Sequence, residues 1–291
     1  MSVRPVLSGL VSAAGTAIAP ARHALIGMVH LGPILAAGRA RVSSLAEVED
    51  AACRDAEVLA AAGFDALMIE NFGDIPFFPE TVPAHTIAGM TRCILAVRRV
   101  SALPVGVNVL RNDARSALAI AAAVDAEVVR VNVHAGVAAT DQGLISGRAY
   151  ETVRYRDALD VATGNMTRIW ADIRVKHAAP IAPRGLAEEA EELHFRAAAD
   201  ALIVSGAKTG GQTDPADLRA VRAAVPCPIV VGSGASPATL PVLMPVCDAL
   251  IVGTWIKVAG STRAAVDPRR AVEFVETARA LGAGMASDAG A

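Results

Sequence analysis

Aromatic side chains make up only 3% of this 291-residue chain. That scarcity removes the stacking platform on which single-stranded nucleic acid is read. Charge is thin as well: 19% of residues are charged and the net charge is −2. Non-specific nucleic-acid binding needs a basic surface, so no nucleic-acid partner is expected. The 4 cysteines, Cys53, Cys93, Cys227 and Cys247, never fall at CxxC spacing. This disfavours a redox pair or a disulfide framework, and the set reads as the reduced thiols of a cytoplasmic protein. No GxxxxGK[ST] motif is present, so nucleotide hydrolysis lacks its usual phosphate loop. No apolar run reaches the ~18 uncharged residues of a membrane span. The apolar stretch 6–19, VLSGLVSAAGTAIA, is interrupted by glycines and preceded by one basic side chain, Arg4. It reads as part of an N-terminal extension, residues 1–23, packed on the protein body rather than as a signal-peptide core.

What the chain does have is aliphatic bulk, with 53% hydrophobic residues. Short apolar, β-branched runs fall at 24–30, 66–70, 104–109, 127–133, 168–175, 201–205, 228–232 and 248–252. Continuous apolar runs, as opposed to alternating ones, suit strands covered on both faces. Helix signals lie between them. Ser44 and Glu47 predict a capping box before a helix ending near Gly63, and Asp113 predicts a cap for a helix reaching Val124. Asp214-Pro215, Ser236-Pro237 and Asp267-Pro268 each place a cap residue before a helix-compatible proline. The acidic stretch 184–199 has a helical period. Eight strands alternating with helices predict an α/β fold, a (β/α)8 TIM barrel over 24–281, followed by an Ala/Gly/Ser-rich flexible tail, 282–291.

In such a barrel the chemistry sits at the C-terminal strand ends. Asn108, Asn132, Asp172, Arg174 and Lys176 interrupt otherwise apolar strands, and buried charges must pair or face a polar cavity. Asp172, Arg174 and Lys176 stand two apart and are expected on one face. All five are expected to converge in one pocket, with Arg111 nearby. The alternative is an internal ion-pair network that only fills the barrel. Glu70 and Asp172 are candidate acid/base groups. Lys176 and Lys208, at the ends of adjacent strands, are candidate electrostatic or Schiff-base lysines. If Asp172 pairs with Lys176, the lysine stays charged and holds substrate; if it pairs with Arg174, the lysine is free for covalent chemistry.

Two glycine-bearing turns follow the last two strands: Gly232-Ser233-Gly234 and Gly253-Thr254. Glycine lets backbone N–H groups approach an anion, and this is the fold's recurrent phosphate position. Gly234→Asp is expected to repel a phosphate without disturbing the fold. His30, His134 and His177 each end a strand, but no HxH or HxxH spacing supports a metal, and neither metal nor cofactor is expected. The loop 71–80, NFGDIPFFPE, suggests aromatic packing over the barrel mouth or a subunit contact, leaving a homo-oligomer open. Residues 134–150 form the longest irregular stretch and are a candidate lid.

Nine segments in order carry a resemblance: GMVHL at 27–31, IENFGDIPF at 69–77, PVGVNVLRND at 104–113, RVNVHAG at 130–136, DQGLISGRA at 141–149, ADIRVKHAAP at 171–180, VSGAKTGGQTD at 204–214, VGSGASP at 231–237 and IVGTWIKVAG at 251–260. With these the chain resembles the BtpA family, which also includes SgcQ-like proteins. The likeness covers nearly all of the chain from residue 24. One departure is GPILAAGR at 32–39, where the family has a more proline-rich turn. The resemblance implies a barrel of the ribulose-phosphate-binding type. Members are associated with photosystem I accumulation or look like sugar-phosphate enzymes. The expected function is therefore an enzyme acting on a phosphorylated small metabolite, a sugar phosphate, of isomerase/epimerase or lyase/aldolase type. A non-catalytic assembly or stability factor is the alternative, and a nucleotide hydrolase the second alternative.

Overall fold

A computed structural model describes residues 23–35, 44–206 and 211–288, with side chains to residue 282. Residues 1–22, 36–43, 207–210 and 289–291 lie outside it, and with them most of the predicted N-terminal extension, Lys208 and half of the 32–39 turn.

The chain runs β1 (Ala24–His30), α1 (Leu45–Ala62), β2 (Ala66–Glu70), α2 (Ala84–Val100), β3 (Val105–Asn108), α3 (Ala114–Val124) and β4 (Val128–Val131). A hairpin, β5 (Val137–Thr140) and β6 (Gly143–Ser146), precedes α4 (Ala149–Thr163) and β7 (Arg168–Asp172). Next come β8 (Ala178–Pro180), α5 (Leu186–Glu191) and β9 (Ala201–Val204). The last elements are α6 (Pro215–Ala224), β10 (Ile229–Val231), α7 (Leu240–Leu243), β11 (Ala249–Val252) and α8 (Pro268–Asp288). Eight parallel strands close in the order β1-β11-β10-β9-β7-β4-β3-β2. The predicted (β/α)8 barrel is the observed fold.

Local chemistry sets the helix ends. Ser44 accepts from Glu47 N while Glu47 reaches back to Ser44 N, and Gly63 closes α1 at φ 90°. Asp113 accepts from Ser116 N at 2.9 Å and Asp214 from Ala216 N at 2.8 Å. Ser236 does not cap as predicted: its N–H instead donates to Thr239 Oγ1, and α7 begins at Leu240. The acidic stretch is helical only over Leu186–Glu191 and then widens into a π turn over Glu192–Arg196. At the other end, α8 continues to Asp288, past residue 282 where the sequence suggests a loose tail.

Inside the barrel, Ile26, Met28, Met68, Val128, Trp170, Ile203, Val230 and Ile251 pack into one hydrocarbon plug. Burying each such side chain is worth roughly 1.5–3 kcal/mol. The outer strand faces pack on the helices in a separate, larger core. Inward positions recur every second residue, so one more step along each strand sets the layer above the plug. From Met28 that step reaches His30, from Met68 Glu70, from Val128 Arg130 and from Trp170 Asp172. From Ile203 it reaches Ser205, from Val230 Gly232 and from Ile251 Gly253. Every step exchanges hydrocarbon for a polar group or a glycine.

The stretch 134–150 is not irregular. The β5–β6 hairpin joins β8 in a three-stranded antiparallel sheet, order β6-β5-β8, with its own buried cluster of Val133, Ala138, Ile145 and Val175. Its turn at Asp141 reaches the barrel mouth.

Candidate active site

A cavity of about 670 Å³ opens at the C-terminal strand ends. Its floor is the polar layer. Arg130 donates to Asp172 through Nε and Nη2, both at 2.9 Å, with the Asp172 side chain 0% exposed. Asn132 Nδ2 adds a third bond to Asp172 at 3.0 Å, and Asn108 Nδ2 reaches both Asn132 Oδ1 and the Arg130 carbonyl at 3.0 Å. Asn108 Oδ1 has no hydrogen-bond partner among the described residues. Asp172 therefore pairs with Arg130, neither with Arg174 nor with Lys176 as the sequence reading weighed. Arg130 was missed as a site residue, although its even spacing from Asn132 puts both on the inner face.

Glu70 and His30 stand beside this pair, His30 Nε2 lying 3.9 Å from Glu70 Oε1. Burial holds the Glu70 carboxyl above the usual carboxylate range, against the pull of Arg130 and Lys176. Burial, reinforced by the charge of Lys257, brings His30 down to about 3, so its imidazole is neutral. Among the described residues no group of three or more His, Cys, Asp or Glu is placed to hold a metal ion. His134 is turned away, bonded to the Ala197 carbonyl at 2.9 Å.

Lys176 does enter the cavity. Its Nζ donates to the Gly232 carbonyl at 3.0 Å. Burial and the nearby Arg130 charge pull its pKa to about 8, with Asp172 and Glu70 opposing. The cation beside it is thus Arg130; Lys208 falls outside the described residues. Arg111 lines the same wall and donates to the Lys176 carbonyl. Arg174 does not join them. β7 ends at Asp172, the two-residue alternation lapses there, and Arg174 turns outward to Glu189 with Nε···Oε2 at 3.0 Å. Of the five residues predicted to converge, Asn132 and Lys176 line this cavity, Asn108 and Asp172 are hydrogen-bonded beneath its floor, and Arg174 lies outside it.

Both glycine turns border the same space: Gly232, Ser233, Gly234, Gly253 and Thr254 all line the cavity. Gly232 and Gly234 are sterically required, and Gly253 is tightly fitted. Gly234 sits at φ +74°, and a Cβ there would lie 2.5 Å from Gln212 Cα. A Cβ on Gly253 would meet His30 Cε1 at 3.1 Å. Gly234→Asp would therefore distort the turn, so the sequence-based expectation of an undisturbed fold is corrected. Phe72, Ile75 and Phe77 of the 71–80 loop also line the cavity, and the Phe72 ring lies 4.7 Å from His30.

Fold and site together define a (β/α)8 barrel with a charged cavity at the C-terminal ends of its strands. The chain belongs to the BtpA family, whose model matches residues 21–280. An uncharacterised protein of Thermococcus kodakarensis is 44% identical over 261 residues, 89% of this chain and 97% of the relative. The photosystem I biogenesis protein BtpA of Synechocystis sp. is 41% identical over 255 residues, 87% of this chain and 86% of its own. Among solved structures, N-(5'-phosphoribosyl)anthranilate isomerase of Pyrococcus furiosus aligns with a TM-score of 0.53 at 14% identity, covering 89% of this chain and 100% of that one. That likeness is one of fold. Among the described residues no helix is long and apolar enough to cross a membrane.

Proposed function

We propose that the chain is an enzyme acting on a phosphorylated small metabolite, a sugar phosphate, by moving a proton at a carbon next to a carbonyl. The observation that carries this reading is that Glu70 and Lys176 open onto one cavity that both glycine turns also line. A buried carboxyl whose pKa is raised by desolvation holds a proton more readily than a solvated one and is suited to accept and return it. The Lys176 ammonium would steady the oxyanion formed when that proton leaves. Asp172 has both oxygens engaged by Arg130 and Asn132, so it positions Arg130 and leaves acid/base work to Glu70. Isomerases and epimerases use this step directly. A lyase of the Schiff-base type would instead need Lys176 as a free amine, which a pKa of about 8 brings within reach.

A thermal-shift screen of sugar phosphates finds the ligand class, since binding to the folded state raises the unfolding temperature. Incubation in deuterated water should then label the substrate carbon in wild type, and Glu70→Gln should abolish the label. Labelling that persists in Glu70→Gln would overturn the role of Glu70. Borohydride reduction decides the lysine's role: no adduct is expected on Lys176, and a trapped adduct would move the reading to Schiff-base chemistry. The name of the Synechocystis relative favours a second reading, a non-catalytic biogenesis factor. That reading gains if no sugar phosphate stabilises the protein.

A further inference from the structure

The cations of the cavity wall differ in what already holds them. Arg130 is engaged by Asp172, Lys176 by the Gly232 carbonyl, and Arg111 by the Lys176 carbonyl. Arg270, in the first turn of α8, lines the cavity too, yet its partner is a ring. Its guanidinium carbon sits 4.7 Å from the centroid of Trp255. Among the described residues no carboxylate lies within ion-pair distance of it. Its neighbour Arg269, by contrast, points into solvent with its side chain 94% exposed and approaches Asp267.

Stacking fixes the plane of a guanidinium while leaving its edge N–H groups free to donate. The platform is itself anchored: Trp255 packs against Phe274 of the same helix, centroids 6.0 Å apart, and Phe274 is fully buried. Beside it, Thr254 and Thr262 both line the cavity, with their hydroxyl oxygens 3.2 Å apart. A fixed guanidinium edge and a hydroxyl pair, which shares one hydrogen bond and keeps a second proton to donate, face the cavity beside the Gly253 turn.

We infer that Arg270, with Thr254 and Thr262, is the seat of the substrate's phosphate, and that the substrate is a phosphate monoester whose phosphate docks on the β11–α8 side. The inference rests on the sugar-phosphate reading and adds to it a binding residue and an orientation. The reacting carbons then point from this seat toward Glu70.

Calorimetry with inorganic phosphate and with ribose 5-phosphate tests it, with ribose as the uncharged control. Wild type should bind both phosphates and not ribose. Arg270→Met should lose about ten- to a hundredfold in affinity for both, the scale of a charge-assisted hydrogen-bonded pair. Arg270→Lys should retain part of it, and Arg269→Met all of it. Far-UV circular dichroism and the unliganded melting temperature establish that each variant is folded; if Arg270→Met is not, Arg270→Lys against Arg269→Met carries the comparison. Undiminished phosphate affinity in the folded Arg270 variants overturns the seat and leaves the sugar-phosphate reading standing. Failure of wild type to bind either phosphate overturns both.

Discussion

Two buried ion pairs, made of similar parts, sit on opposite sides of the barrel wall. Outside it, Lys257 Nζ lies 2.6 Å from Asp55 Oδ2, and Asp55 Oδ1 takes the Val266 N–H at 2.7 Å. This pair fastens the segment after β11 to α1. Inside, Arg130 lines the cavity floor and is held from beneath by Asp172. Lys257 follows the last strand, and its side chain is fully buried. Burial wins at Lys257, whose pKa falls despite Asp55. At Arg130 burial also opposes the charge, but Asp172 outweighs it and the net shift is upward. Each pair has excellent geometry, so geometry does not separate them. What separates them is the end of the network: the outer one closes on the backbone, whereas the inner one borders a cavity and leaves Asn108 Oδ1 unmatched. The lesson is that a buried charge points to function where its network borders space for a ligand.

Removing one partner of either pair should give the largest effect. Asp55→Ala and Asp172→Ala each leave a buried cation uncompensated, and each should cost ~3–5 kcal/mol in urea unfolding. Replacing both partners with apolar residues removes that penalty. Lys257→Met/Asp55→Leu should return most of the stability and keep ligand affinity. Arg130→Met/Asp172→Leu should return stability yet lose binding of the sugar phosphate that wild type accepts. Equal binding by the two double variants would erase the distinction.

A sharper test comes from Lys176, a cation held against its own desolvation. Its folded pKa of about 8 is below the usual lysine value, so the folded state disfavours the charged form. Below about pH 8 that cost is fully present. As pH rises further the folded protein sheds the proton first, the unfolded chain keeps it, and stability grows. Lys176→Met should therefore be more stable than wild type at pH 7, by about 1 kcal/mol, while binding phosphorylated ligand about tenfold more weakly. The stability gap should close as pH climbs toward the usual lysine value. Denaturation curves at several pH values check this; a variant less stable than wild type at pH 7 would make Lys176 a structural residue.

Much of this was legible before any coordinates. The runs 24–30 and 66–70 coincide with β1 and β2, because fully covered parallel strands announce themselves as unbroken apolar runs. Asn108, Asn132, Asp172, Arg174 and Lys176 stood out as polar breaks in the later strands, and Glu70 as the polar end of the second. Arg130 did not, because it looked like one more polar residue near a strand end; only its pairing across two strands with Asp172 gives it meaning. Arg270 and Thr262 were invisible for another reason. They belong to α8 and to the loop leading into it, far along the chain from the strand ends that the fold rule inspects. The hairpin at 137–146 was hidden by its glycines and short apolar runs, which read as loop.

Arg174 gives the smallest expected effect and tests how far strand alternation can be trusted. On paper it lies midway between Asp172 and Lys176 with the same parity. In the structure the strand has already ended, and the side chain spans the surface to Glu189 and the Arg184 carbonyl. Its guanidinium side chain is 45% exposed, so solvent screens the pair. The Glu189 hydrogen bond raises its pKa, but such an exposed pair contributes little to folding. Arg174→Ala should cost at most about 0.5 kcal/mol, with less effect still in high salt. Ligand affinity should not change, in contrast to Lys176→Met two residues away. If Arg174→Ala weakened phosphorylated-ligand binding as much as Lys176→Met, the small sheet and the π turn would have to close over the cavity in solution and bring Arg174 inward.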